Sequence, residues 1–195
     1  MTRSFFSSRR ERRLWAWTLA DVVAIYSTLG LARTLAGELR DRGLISDLTW
    51  LGLFLIAAAV AILGLKKRPG IAEIGVAVGV AGAYLIAFLR IAMPEERSHL
   101  IEYTVVAILI HEALLERASQ GRRVFAPAFF AILATANVGV FDECIQAFLP
   151  NRVFDPVDIG FNLLAAVMAV SASVSLRWAR RRTEGLVGVY RTHAR

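Results

Sequence analysis

The stretch PVDIGFNLLAAVMAVSASVSLRW, residues 156–178, carries only Asp158 and Arg177 as charged side chains. A helix of this length rises about 34 Å at 1.5 Å per residue, slightly more than the roughly 30 Å of hydrocarbon in a bilayer. Pro156 is typical of the first position of a helix. An arginine run around Trp178 is typical of a chain leaving the membrane among lipid headgroups. The stretch therefore predicts a membrane-spanning helix.

Five earlier stretches have the same apolar character: Leu14–Leu35, Leu48–Leu65, Ile71–Ile91, Leu100–Leu115 and Val124–Leu149. Of the 195 residues 56% are hydrophobic, and the mean hydropathy is +0.54. Ordinary soluble domains have about 45–50% apolar residues. We therefore expect an all-α polytopic membrane protein, a bundle of six transmembrane helices. The composition excludes a conventional soluble enzyme and a disordered or fibrous chain.

The basic residues lie mainly in alternate connections. The N-terminal segment, the second and fourth loops and the tail hold most of them, and the intervening loops hold only Arg40, Arg42, Arg97 and Arg152. By the positive-inside rule both termini are predicted to be cytoplasmic. The net charge of +7 then reflects topology and attraction to anionic lipids, and no nucleic-acid partner is expected. The single cysteine, Cys144, excludes a disulfide framework within the chain and a multi-cysteine metal site.

Three polar clusters fall on the predicted extracytoplasmic side. The first follows Pro94, the second begins at Asp142, and the third leads into the last helix. Their members are, in chain order, Glu95, Glu96, His99, Glu102 and Tyr103; Asp142, Glu143 and Gln146; and Arg152, Asp155, Asp158 and Asn162. A charged carboxylate facing lipid costs several kcal/mol, so we expect the clusters to converge in the interior of the bundle. Asp155 before Pro156 is also the pattern of a helix N-cap.

The same residues resemble a known family. The run from His99 to Tyr103, then Asp142-Glu143-x-x-Gln146, then Pro150-x-Arg152-x-x-Asp155-x-x-Asp158-x-x-x-Asn162 resembles the VanZ-like family of small membrane proteins. The match covers roughly residues 71–176. The resemblance implies a VanZ-like four-helix core at 71–178, an N-terminal basic tail with a two-helix extension at 1–70, and a basic cytoplasmic tail at 179–195. It also implies a multi-pass protein of the bacterial cytoplasmic (inner) membrane, with a role in the cell envelope and an association with antibiotic resistance.

Roles for these side chains follow from their chemistry. An arginine can bind a phosphate, and a histidine beside carboxylates can act in general acid–base catalysis. We therefore expect the site to bind or process a phosphate-linked lipid or envelope precursor. The candidate catalytic residues are His99, Glu102, Asp142 and Glu143, with Glu102 or Asp142 orienting His99. The candidate substrate-binding residues are Tyr103, Gln146, Arg152, Asp155, Asp158 and Asn162, with Arg152 on the phosphate. Whether the protein is an enzyme stays open.

The carboxyls outnumber the nearby bases, so either some are protonated or a divalent cation completes the set. Carboxylates suit Mg²⁺ or Ca²⁺, and His99 would also allow Zn²⁺ or Mn²⁺. Ion pairs and hydrogen bonds among the helices are the alternative, and no metal ligand is assigned at this point. A non-catalytic accessory or scaffold subunit of a larger membrane complex is the second functional hypothesis. A transporter is a third, although no internal repeat is visible. Membrane lipids are expected partners in each case, and other membrane protein subunits are expected in the second.

Overall fold

The computed structural model describes residues 5–44, 46–48, 50–52, 54, 69–91, 94–150 and 154–193, without the side chains of 32, 33, 36, 94–96 and 185–193. Five long helices are present in these ranges: α1 (Arg9–Asp41), α2 (Ile71–Arg90), α3 (Pro94–Ser119), α4 (Pro127–Gln146) and α5 (Pro156–His193). The described residues contain no strand, which confirms the all-α expectation. Most of the predicted span Leu48–Leu65 lies outside the described residues.

Five spans of the described helices are long and apolar enough to cross a membrane: Arg9–Leu31, Ile71–Arg90, Arg97–Ser119, Pro127–Gln146 and Pro156–Glu184. The fold is thus compatible with a multi-pass membrane protein.

Prolines mark the start of three of the helices. Pro94, Pro127 and Pro156 each stand at the first helical position, where the missing N–H costs nothing. Ala126, just before Pro127, has a left-handed backbone with φ 42°, so α4 cannot extend further towards its N-terminus. The helix is therefore shorter than the predicted stretch Val124–Leu149. Asp155 caps α5, because its Oδ1 accepts a hydrogen bond from the Val157 N–H at 2.8 Å.

The chain forms two compact units. The first contains Met1–Leu35 and Glu95–Val170, and the second contains Ala36–Pro94 and Ser171–Arg195. The core of the first unit joins α1, α3, α4 and α5 through small and branched apolar side chains: Ile25, Val106, Ala107, Ile110, Ala131, Ala166, Ala169 and Val170. Alanines at these contacts allow the helix backbones to approach closely. In the second unit, the side chain of Thr183 fills the space beside Gly70, and the rings of Trp50 and Phe88 meet edge to face at 5.8 Å.

The helix α4 shows how the first unit distributes polarity. Its buried side is small or polar: Ala131, Thr135, Gly139, Asp142, Glu143 and Gln146. Its exposed side carries large apolar side chains: Phe129, Phe130, Leu133, Val140, Phe141 and Ile145. A soluble helix has the opposite arrangement, with its apolar side turned inward. The inward polar side of α4 forms one wall of the candidate site.

Candidate functional site

The candidate site lies at one end of the first unit, where three helices begin or end. His99 and Tyr103 are on the second and third turns of α3, Asp142 to Gln146 form the last turn of α4, and Asp158 is in the first turn of α5. The N-terminal end of α5 carries partial positive charge, which favours the Asp158 carboxylate, whereas the C-terminal end of α4 carries partial negative charge, which opposes ionisation of Asp142 and Glu143. Three sequence segments far apart in the chain therefore meet in one polar cluster.

His99 lies between two carboxylates. Its Nδ1 is 3.9 Å from Oδ2 of Asp142, and its Nε2 is 3.7 Å from Oδ2 of Asp158. Both distances exceed the range of a direct hydrogen bond. The imidazole is buried, with 6% of the residue exposed. The two ring nitrogens thus face different helices, Nδ1 towards α4 and Nε2 towards α5.

Asp142 is held from a second direction by Tyr103. The Tyr103 hydroxyl donates a hydrogen bond of 2.9 Å to Oδ2 of Asp142, the same oxygen that faces His99. Tyr103 and Asp142 have no exposed surface, and the tyrosine ring stacks on the His99 ring at 6.0 Å between centroids. The spacing of four residues between His99 and Tyr103 places both on one face of α3. The Tyr103 hydroxyl thus holds the Asp142 carboxylate beside the His99 ring.

Glu143 has each of its oxygens hydrogen-bonded. The Gln146 side-chain amide donates to Oε1 at 2.8 Å, and the Asp155 backbone N–H donates to Oε2 at 2.9 Å. Glu143 is completely buried, so these two bonds replace the water that it loses. Asp155 therefore has two structural roles: its side chain caps α5, and its backbone N–H orients the Glu143 carboxylate.

Asn162 occupies the next turn of α5 after Asp158. It packs against Gly139: a Cβ at position 139 would lie 2.7 Å from Cβ and 2.8 Å from Nδ2 of Asn162. The residue is completely buried, and neither atom of its side-chain amide has a hydrogen-bond partner among the described residues. Buried amides are nearly always satisfied by protein or water, so the Asn162 amide has the capacity for a further polar partner.

The structure brings together most of the side chains that the sequence predicts. His99, Tyr103, Asp142, Glu143, Gln146, Asp158 and Asn162 line one interior, and Asp155 stands at its edge. Glu102 is partly buried on α3, three positions after His99, and makes contacts of its own. Arg152 and the side chains of Glu95 and Glu96 lie outside the described residues.

Three members of this region were not predicted. Tyr26 of α1 donates a hydrogen bond from its hydroxyl to the Val138 carbonyl at 2.8 Å, and Thr135 and Gly139 continue the buried side of α4 below Asp142. The i, i+4, i+7 period through 135, 139 and 142 was available as a signal for the last two. The sequence contains no such signal for Tyr26, because its contact joins residues 112 positions apart.

A second polar cluster lies at the opposite end of α3. Arg10 of α1 contacts Glu112 and Glu116 at 3.2 Å each, and Arg117 contacts the completely buried Glu11 at 3.1 Å. The sequence Ser8-x-x-Glu11 has the capping-box pattern, and it could have revealed this helix start. The Glu11 N–H donates to Ser8 Oγ as in a capping box, while the Glu11 carboxylate accepts the N–H of Ser7, one residue before the cap. These contacts tie α1 to α3.

Comparison of the chain with protein-family models, with curated proteins and with solved structures gives no match. The resemblance to the VanZ-like family therefore stays a prediction from the motifs, and the site is interpreted from its own geometry.

Proposed function

We propose that this chain is a VanZ-like multi-pass protein of the bacterial cytoplasmic membrane, with six spans and both termini cytoplasmic. Its candidate site then opens on the extracytoplasmic side and binds or processes a phosphate-linked lipid or envelope precursor. The observation that carries the proposal is the convergence of acidic, histidine and amide side chains inside a helical unit whose outer surface is apolar. Acids are kept inside a membrane bundle at a cost, and they mark functional sites by default.

The placement of charge supports the proposed orientation. The His99–Asp158 end of the unit is acidic, whereas at the other end of α3 the glutamates are paired with Arg10 and Arg117, and Arg122 and Arg123 follow in the chain. Basic residues favour the cytoplasmic side, so the acidic end is assigned to the outside. A headgroup in the outer leaflet would reach the site at this end.

The proposed chemistry assigns a role to each group. His99 exchanges a proton with the ligand, and Asp142, held by Tyr103, orients the imidazole through the Nδ1 side. Asp142 suits this role better than Glu102, because it faces a ring nitrogen of His99. Asp158 and Asn162 offer polar atoms on the opposite wall. Arg152 is proposed to contact the phosphate.

An accessory or scaffold subunit is the second candidate, and one observation favours it. Both oxygens of Glu143 are already hydrogen-bonded within the bundle, as expected for groups that only hold helices together. The amide of Asn162 argues against it, because a purely structural cluster would satisfy that buried group.

Binding of an isoprenoid monophosphate to the purified protein tests the proposal, with the matching isoprenoid alcohol as the ligand control. The wild-type chain should bind the phosphate at least about tenfold more tightly than the alcohol, because a charged headgroup makes the stronger contacts. His99→Gln and Arg152→Gln should remove that preference without lowering the unfolding temperature, and Arg180→Gln, on the exposed surface of α5, should retain it. Equal binding of both lipids would refute the proposal, and parallel loss of stability and binding in the site variants would favour the scaffold.

A further inference from the structure

We propose that His99, Glu143 and Asp158 bind one divalent transition-metal cation of the Zn²⁺ or Mn²⁺ type. Each of the three residues offers a ligand atom, and these atoms lie within 4.8 Å of one another. The inference deepens the proposed function, on which its biological role rests, since the cation would contact the ligand's phosphate. The cation site itself depends only on the residues of the chain.

The spacing of the donor atoms fits an ion better than a direct contact. His99 Nε2 and Asp158 Oδ2 are 3.7 Å apart, too far for a hydrogen bond. Two ligands at about 2.0–2.2 Å from one cation are separated by roughly 3.3–3.6 Å in tetrahedral geometry, and by roughly 2.8–3.1 Å (adjacent) or 4.0–4.4 Å (opposite) in octahedral geometry. The three donor atoms, which lie within 4.8 Å of one another, would draw closer together around a shared cation. One imidazole with two carboxylates is a mixed nitrogen and oxygen set. Such a set favours Zn²⁺ or Mn²⁺ over Ca²⁺, which takes oxygen ligands.

The groups behind the three ligands are those that metal sites use to orient them. A histidine ligand typically presents its second nitrogen to a carboxylate, and Asp142 stands on the Nδ1 side of His99, held there by Tyr103. Ligand carboxylates are in turn hydrogen-bonded, as Glu143 is by Gln146 and the Asp155 backbone. Each Glu143 oxygen accepts one such bond, which leaves a lone pair for a cation.

Asn162 provides an independent indication of a bound polar species. Its buried amide has no hydrogen-bond partner among the residues that the structure describes. It stands one turn from Asp158 on the same face of α5 and opposite Gly139, which precedes Glu143 by one turn of α4. A water on the cation, or a ligand oxygen, would satisfy the amide from inside the site.

The remaining coordination positions have a route to the surroundings. His99 and Glu143 are buried, whereas 17% of the Asp158 side chain is exposed. Asp158 is therefore the ligand through which water or a phosphate oxygen would reach the cation. The cation also offsets the negative charge of Asp142 and Glu143, two adjacent carboxyls without exposed surface.

A metal titration tests the inference. The purified protein in detergent is first stripped of metal with a chelator, and Zn²⁺ or Mn²⁺ alone is then added. We expect one equivalent per chain, with at least a tenfold loss of affinity in His99→Gln, Glu143→Gln and Asp158→Asn. Glu184→Gln removes an exposed carboxylate of α5 as the matched control and should bind like the wild type. Substoichiometric binding, or site variants that bind like this control, would overturn the inference.

Pulsed electron paramagnetic resonance of the Mn²⁺-loaded wild type covers the case in which a site variant does not fold. We expect coupling between Mn²⁺ and one imidazole nitrogen. If this coupling is absent in the wild type, the cation site is wrong, whatever the variants show. The isoprenoid-phosphate measurement with and without metal separates the two proposals. If the protein binds one metal ion but does not prefer the isoprenoid phosphate to the alcohol, the cation site is retained and the lipid function is rejected. If it prefers the phosphate but binds no metal, the lipid function is retained and the cation site is rejected.

Discussion

Replacement of Gly139 by alanine should damage the candidate site through one added methyl group. The new Cβ would lie 2.7 Å from Cβ, 2.8 Å from Nδ2 and 3.1 Å from Cγ of Asn162. Ordinary carbon contacts are about 3.5–4.0 Å, so α4 and α5 must separate by several tenths of an ångström or more, or Asn162 must leave its rotamer. Overpacking of this kind costs about 1–3 kcal/mol.

Helix propensity acts in the opposite direction, because alanine is preferred to glycine in a helix by about 1 kcal/mol. Gly160→Ala is the matched control, since position 160 is also helical and nothing lies within 4 Å of its added Cβ. The gain in stability from helix propensity is similar in both variants, so it cancels when their free energies of unfolding are compared. Gly139→Ala should therefore be about 1–3 kcal/mol less stable than Gly160→Ala.

Unfolding of both variants in the same detergent, by heat or by denaturant titration, measures this difference. An expected difference of this size changes the folded-to-unfolded ratio by about fivefold to more than a hundredfold. If Gly139→Ala is as stable as Gly160→Ala, then α4 and α5 do not approach at Gly139, and the interior described for Asn162 is wrong.

Three further substitutions test contacts near the two ends of α3 in the same unfolding assay. Tyr103→Phe removes the hydroxyl that donates to the buried Asp142 carboxylate and should cost about 1–3 kcal/mol; unchanged stability would contradict the contact. Arg117→Ala leaves the completely buried Glu11 without its ion pair and should cost about 1–3 kcal/mol or more, whereas the more exposed Arg10→Ala should cost less than about 1 kcal/mol. Equal losses for the two arginine variants would contradict the difference in burial.

Several local features of the fold were predictable from short stretches of sequence. Pro94 and Pro156 mark helix starts because proline lacks only an N–H that the first turn does not use. The Asp155 cap follows from the same reasoning. The meeting of His99, Asp142 and Asp158 was also predictable, because acids on apolar helices must turn towards each other or towards water.

Long-range pairings were not predictable in this way. The periodicity of α1 does not show that Tyr26 reaches the Val138 carbonyl, and Glu11 gives no local sign that its partner is Arg117. The close contact of Gly139 with Asn162 was not predictable either, because the two residues lie on different helices.

Thiol labelling at the two ends of α3 tests most directly whether the polar cluster faces the extracytoplasmic side. In a Cys144→Ala background, Ser98→Cys and Ser119→Cys place single exposed thiols near the candidate site and at the far end of the same helix. A membrane-impermeant maleimide added to intact cells should label the cysteine at position 98 and should reach the one at position 119 only after permeabilisation. Labelling of position 119 but not of position 98 in intact cells would place the candidate site on the cytoplasmic side and contradict the proposed topology and function together.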